Sequence, residues 1–339
     1  GLVNMISKTP NEEPDMDIML TQTHALGTTA NVFYSQRGDK IGTTLYASGH
    51  YQKAYDTEDD GFSNLPLTKS ISLNPKLFLY PSQNSTFWIG LNGTFDNRIG
   101  GDIIRIEDGA NGTHQFFEQN ISKRLSSQVA YNLDLDSMGE FSIKNSVAFF
   151  DRSLTLPEIN FKGKQINTFT EITYSKEYSR SDLIFGTNLY TTNFNEDDSS
   201  ELQRDQSDIT VGLFINNIID ITDKWILEIG LRADYSKDWG IFPLPRISLL
   251  SKPIDGLSFR IGGGLGYKIP DVFTEDAEII NFNNVLPINK NNLEAERSYG
   301  ANFDLNYQTL LFEKVGFSIN QLFYICLLYT SPSPRDDIS

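Results

Sequence analysis

Two-residue alternation constrains this chain more than any other feature. In 299–307 the odd positions are Tyr299, Ala301, Phe303, Leu305 and Tyr307, and the even ones are Gly300, Asn302, Asp304 and Asn306. The same comb runs through 225–235, where Trp225, Leu227, Ile229, Leu231, Ala233 and Tyr235 interleave with Glu228, Gly230, Arg232 and Asp234. It recurs in 87–96 and 257–267. Period-2 alternation makes a strand with one apolar and one polar face. Charges placed repeatedly opposite a Leu/Ile/Phe/Tyr face point to lipid on one side of a sheet and water on the other. The expected fold is therefore all-β, an antiparallel transmembrane β-barrel.

Composition narrows the alternatives. No run approaches the roughly 20 apolar residues a helical span needs, so a helical membrane protein is excluded. Mean hydropathy is −0.32, as expected when half of each barrel strand faces water. The formal charge of −16, from 28 basic and 44 acidic residues, makes nucleic acid an unsuitable partner. A single cysteine rules out an intramolecular disulfide framework. The chain begins at Gly1 with no initiator Met and no visible signal peptide, which reads as a fragment.

Combs and turn signals together place fifteen strands, near 15–23, 28–36, 40–54, 66–80, 86–97, 114–135, 138–152, 164–177, 181–193, 206–219, 224–237, 243–252, 256–268, 295–308 and 313–324. Every second connection is tight: Arg37–Lys40, Pro81–Asn84, Asp136–Gly139, Ser175–Arg180, Thr222–Lys224, Lys252–Gly256 and Leu310–Lys314. The intervening ones are often long and polar, at 55–65, 98–113, 153–163, 194–205 and 269–294. Short turns on one rim and long loops on the other are the plan of an outer-membrane barrel. Pro75, inside a predicted strand, cannot donate to the ladder and implies a bulge or a shifted boundary. Fifteen is odd, whereas bacterial single-chain barrels are even-numbered, and an open edge cannot lie in hydrocarbon. Further strands are expected outside this sequence.

Several segments, in consistent order, resemble one family. Gly1–Pro10 looks like the last strand of the plug domain in TonB-dependent outer-membrane receptors. Gly230-Leu-Arg-Ala-Asp-Tyr235, Pro245–Pro253 and Phe259–Asp271 resemble the second half of that family's barrel, and Asn292–Ser298 resembles the lead into its next strand. The resemblance spans roughly residues 1–325. It implies the end of a plug in 1–12 and barrel strands with long extracellular loops in 13–325. A complete barrel would have 22 strands, so about seven strands and most of the plug would be absent. It also implies location in the bacterial outer membrane among its lipids, and import of a scarce bulky nutrient such as an iron–siderophore, cobalamin or other metal chelate. The TonB energy-coupling protein would engage a missing N-terminal region. The tail from Cys326 to Ser339 breaks the comb and resembles translated sequencing-adapter read-through, so 326–339 is expected to be non-native; a genuine periplasmic or loop segment is the alternative.

No catalytic constellation stands out around His24, His50 or His114, and no serine or cysteine has a recognisable elbow, so an enzyme is not expected. The sharpest local motif is Asp56-Thr-Glu-Asp-Asp-Gly-Phe62. Asp56, Glu58 and Asp60 with Gly61 match the first half of a calcium loop, but the acid expected at its twelfth position is Leu67. Cobalamin receptors of the resembled family also bind calcium in aspartate-rich early loops. The alternative is a solvated acidic loop tip. Asp102–Asp108 is a weaker acidic cluster.

On the alternation, Lys144, Glu171, Glu228, Arg232, Asp234, Arg246, Arg260 and Asp304 face the lumen, where ladders of charge pairs are the plain reading and substrate contact the alternative. Trp225, Tyr235, Tyr299, Tyr307, Phe95 and Tyr51 suit interfacial girdles. Phe62, Phe116, Trp239, Phe242, Phe273 and Phe282 in the loops are candidates for ligand contact or for loop packing. The sequons at Asn84, Asn92, Asn111 and Asn120 read as coincidental, and Gly262–Gly264 sits mid-comb with no helix following, so it is not a phosphate loop. Three rival functions remain: a passive porin or channel, a soluble extracellular β-sandwich binding protein, and an enzymatic barrel.

Overall fold

The computed structural model describes residues 8–109, 112–197, 203–282, 285–290, 292–312 and 314–329. Gly1–Ser7 of the plug-like segment and 330–339 of the tail lie outside them. The strands are β1 (Asp15–Gln22), β2 (Thr28–Arg37), β3 (Ile41–Gln52), β4 (Leu67–Ser82), β5 (Ser85–Gly101), β6 (Phe117–Asp134), β7 (Glu140–Thr155) and β8 (Asn160–Tyr178), followed by β9 (Ser181–Glu196), β10 (Gln206–Thr222), β11 (Trp225–Ser236), β12 (Gly240–Pro243), β13 (Arg246–Ile254), β14 (Leu257–Lys268), β15 (Glu296–Leu311) and β16 (Val315–Tyr329). All form one antiparallel sheet in which sequence neighbours pair, with β12 and β13 both laid along β11. Two short helices, α1 (Ile103–Asp108) and α2 (Glu275–Ile279), lie in the connections. Such a meander satisfies every interior strand within the sheet, the condition for backbone in hydrocarbon.

Fifteen of these strands coincide with the combs, and the connections alternate as expected. Short turns such as 38–40, 83–84, 179–180, 223–224 and 255–256 define one rim, and the β3–β4, β5–β6, β9–β10, β11–β13 and β14–β15 connections start from strand ends at the other. The sixteenth strand, β12, is four residues long, too short to show a period. The expected loop at 153–163 contracts to 156–159. β4 runs through Pro75 with one register on either side, Leu73 opposite Gly93 and Lys76 opposite Gly90; the only shift lies beyond Leu79, beside the turn. No bulge forms: Asn74 and Pro75 go without partners on β5, while on the other side they stay opposite Tyr46 and Leu45 of β3. β16 continues past Ile325, with Cys326 opposite Gly300 and Tyr329 opposite Arg297.

The register sorts the sheet into two faces. On one lie rows such as Phe87, Tyr131, Ile143, Ile172, Thr187, Leu213 and Ala233, each directly opposite the next. Its hydrophobic members are largely exposed, as side chains awaiting lipid are. Trp225 and Tyr235 stand at the two ends of β11 on this face. About ten residues at ~3.3 Å rise and ~40° tilt separate them by roughly 25 Å along the membrane normal, the height of a barrel's apolar band.

The opposite face is polar, and both ends of the lumen pack against it. At the short-turn rim, Lys8 pairs with Asp15 at 2.8 Å, and Arg37 N donates to the Asn11 carbonyl oxygen at 2.8 Å. At the loop rim, Leu154, Phe161 and Phe194 from the ends of β7, β8 and β9 form a buried cluster with Val272, Ala277 and Phe282 of the β14–β15 loop.

Candidate functional site

The site is the polar wall and the loop-covered mouth above it. All eight predicted lumen charges share the polar face. Lys144 Nζ lies 3.7 Å from Glu171. Arg246 pairs with Glu228, and Arg232 Nε lies 2.7 Å from Asp234 Oδ1. Arg232 also donates to Asn188 Oδ1 at 3.1 Å, and Tyr267 Oη donates to Asp234 Oδ2 at 2.9 Å. Arg260 stands opposite Asp304. The eight thus sort into four opposite-sign sets, three of them in contact and one opposed in register, an arrangement that lowers the cost of charge beside a low-dielectric boundary.

Glycine makes room for this network. A Cβ on Gly212 would sit 2.5 Å from both Asn188 Oδ1 and Asp234 Oδ1, and 2.7 Å from Arg232 Nη2. The Gly262–Gly264 run works similarly, with Gly262 facing Asn302 Oδ1 and Gly264 facing the Arg246 Cβ.

The mouth is built from residues far apart in sequence. Arg152 of β7 makes a bidentate pair with Glu278 at 2.6 and 2.9 Å. Arg204 is buried against Glu196, donates from Nη1 to the Phe282 carbonyl oxygen at 2.7 Å, and lies over the Phe161 ring. Phe161 stacks on Phe282 at 4.4 Å between centroids, and Phe194 meets Phe273 edge-on at 4.7 Å. Both guanidinium groups are thus occupied within the protein. Arg152, Arg204, Phe161 and Phe194 carried no sequence signal, since their partners lie in distant loops.

The loop aromatics divide. Phe273 and Phe282 serve packing, and Phe242 is 3% exposed, stacked flat on Tyr267 at 3.9 Å. Trp239 is half-buried. Phe62 and Phe116 remain 46% and 49% exposed, 6.3 Å apart, on the β3–β4 and β5–β6 loops. Those two loops are stitched together: Ser63 N donates to Gly101 O, Ile103 N to Gly61 O, and Lys53 pairs with Glu107 at 3.0 Å.

In the acidic motif, Asp56 Oδ1 accepts from Glu58 N and Asp59 N at 2.9 and 2.8 Å, and Oδ2 accepts from Gly61 N at 2.7 Å. Partial burial pushes the Asp56 carboxyl up, but these backbone donors outweigh it and hold it below the ordinary carboxylate range. Asp60 Oδ1 accepts from Phe62 N at 2.9 Å, and Glu58 does not join them in a cradle. Among the described residues, no group of three or more His, Cys, Asp or Glu side chains is arranged to hold a metal ion. In the neighbouring cluster, Asp102 caps α1 through Ile104 N and lies 2.6 Å from His114 Nδ1. Desolvation raises its carboxyl, and the His114 contact with the two helix N–H donors more than reverses that.

Comparison with known proteins agrees with this architecture. No curated protein matches the chain. Among solved structures, the siderophore receptor PirA from Acinetobacter baumannii is 15% identical, with a TM-score of 0.69 over 89% of this chain and 52% of that one. PirA from Pseudomonas aeruginosa is 14% identical, with a TM-score of 0.71 over 94% and 56%. The alcaligin receptor FauA from Bordetella pertussis is 10% identical, with a TM-score of 0.71 over 95% and 52%. The chain spans about half the length of the structures it matches, and at these identities they speak for the fold. The family model for the TonB-dependent receptor-like β-barrel matches residues 20–325, and the chain belongs to that family.

Proposed function

We propose that this chain is the barrel portion of a bacterial outer-membrane receptor that imports a metal chelate of the iron–siderophore or cobalamin class, energised through TonB. The observation that carries this reading is the two-faced sheet. An apolar outer face backs a polar wall with paired charges, long connections lie at one rim, and the β14–β15 loop packs onto the strand ends there. The β14–β15 loop is fixed by a buried aromatic cluster to the ends of β7, β8 and β9, an arrangement for which a passive pore has no need. Exposed Phe62 and Phe116 on adjoining loops supply a contact surface for a bulky ligand, since aromatic faces bury large area at small entropic cost. Arg152 and Arg204 are paired within the protein, so neither offers a free cation to a chelate.

The test uses the full-length gene in a receptor-deficient host. Uptake of labelled ferric siderophores and of cobalamin should depend on the receptor and stop when TonB is deleted. Uptake that persists without TonB, together with ohmic conductance in planar bilayers, would establish the passive channel instead.

A further inference from the structure

Residues 8–14 precede β1 and belong to no strand or helix, yet contacts fasten them to four strands. Lys8 Nζ lies 2.8 Å from Asp15 and 3.9 Å from Asp17 of β1, and 5.2 Å from the centre of the Phe33 ring on β2. Asn11 O accepts from Arg37 N at the end of β2. Between these two ties, Pro10 is the one buried residue of the segment. A Cβ on Gly42 of β3 would sit 2.7 Å from Pro10 Cγ and 3.4 Å from Tyr80 Cε2 of β4. The proline ring therefore fills a socket that glycine leaves open, and the Arg37 guanidinium, 3.9 Å over the Tyr80 ring, steadies its side. Proline suits the place because it has no N–H to bury without a partner. The row Arg37, Gly42, Phe78 continues through Trp88 and Ala130 to Lys144, so the socket opens on the polar face at the short-turn rim.

We propose that residues 8–14 are a releasable latch, which holds back slack between the barrel and the chain ahead of Lys8. Seated, the latch keeps Lys8 beside Asp15, where β1 begins. Straightened, the same seven residues span about 25 Å. The difference is travel open to the chain ahead of Lys8 with no movement of the barrel. The hold is small. An exposed ion pair contributes little, which leaves the proline socket and one backbone hydrogen bond. β1, by contrast, lies in a ladder of eight register pairs with β2. Traction from the N-terminal side therefore empties the socket before it loads the ladder, as local opening precedes loss of a strand. The inference rests on the TonB-energised reading, in which the chain ahead of Lys8 belongs to a plug under traction, but not on the choice of cargo.

The socket also supplies the lock that tests it. Pro10 Cβ lies 3.4 Å from the Cβ that Gly42 lacks, close to the Cβ separation of a disulfide. The full-length receptor, otherwise free of cysteine, carries Pro10→Cys with Gly42→Cys, and cells take up a labelled ferric catecholate, a ferric hydroxamate and cobalamin as probes. Oxidised, the double variant should bind its probe as the wild type does and lose import. Reductant should restore import, and neither single variant should respond to reductant. Gly42→Leu, which fills the socket, should speed trypsin cleavage after Lys8 by about tenfold or more while uptake persists. Heat-modifiable gel mobility checks that each variant is folded. Equal import by the oxidised and the reduced double variant, or unchanged cleavage in folded Gly42→Leu, would overturn the latch. Import by the reduced receptor that ignores deletion of TonB would instead remove the transport reading, and the traction with it, so the two failures carry different signatures.

Discussion

Asp102 shows how one side chain holds a loop. It caps α1 and contacts His114, and its carboxyl is held below the ordinary value of 3.8. A depressed carboxyl stabilises the folded loop at pH values above its ordinary range, and that contribution disappears as pH falls through the depressed value. Amide protection at Ile104 and Arg105, corrected for intrinsic exchange, should therefore be constant at neutral pH and fall below about pH 4. In Asp102→Ala it should already be low at neutral pH and change little on acidification; the same profile in variant and wild type would contradict this. Gly212 makes the complementary case. A methyl group there meets three polar atoms at 2.7 Å or less, and Asp234 is buried. Gly212→Ala should cost about 1–3 kcal/mol, read as a lower urea midpoint for unfolding, with Gly49, which has open space, as the neutral control.

Among the elements, the strands were legible and the mouth was not. A comb such as Trp225–Tyr235 is a local signal, complete within the strand that it specifies. Fifteen strands and the polarity of both faces followed from such signals, as did the inward placement of Arg246 and Glu228. β12 was invisible because four residues cannot show a period. The contact of Arg152 with Glu278 bridges 126 positions, and no spacing rule connects them. The acidic motif was found as a sequence, but nothing in its spelling told that Asp56 spends its oxygens on backbone N–H groups. The β14–β15 loop offers the sharpest test at this scale. Phe282→Ala removes a ring stacked on Phe161, and a buried phenylalanine truncation costs about 3–5 kcal/mol, more than a loop held by one small cluster retains. Limited proteolysis within 269–295 should accelerate at least tenfold while heat-modifiable mobility of the barrel stays unchanged. Slow cleavage in the variant would mean that the Arg152–Glu278 and Arg204 contacts hold the loop by themselves.

For the whole molecule, the decisive question is which face meets hydrocarbon, because the barrel and the β-sandwich put the same combs to opposite uses. Tryptophan position answers it. Trp225 lies on the apolar face, 39% exposed, beside Phe259. Trp88 lies on the polar face between Phe78 and Lys76. In a barrel, acyl chains touch the first and never the second. Single-tryptophan variants of the full-length receptor, in bilayers with brominated acyl chains, should lose Trp225 emission to quenching while Trp88 emission persists. A sandwich buries its apolar faces against each other, so neither residue would be quenched and detergent would be unnecessary. Brominating successive chain carbons adds depth: Trp225 belongs at the interface, where indoles favour the headgroup boundary, so quenching should be strongest for bromines nearest the headgroups. Maximal quenching at the bilayer centre would instead place β11 several residues out of its transmembrane position.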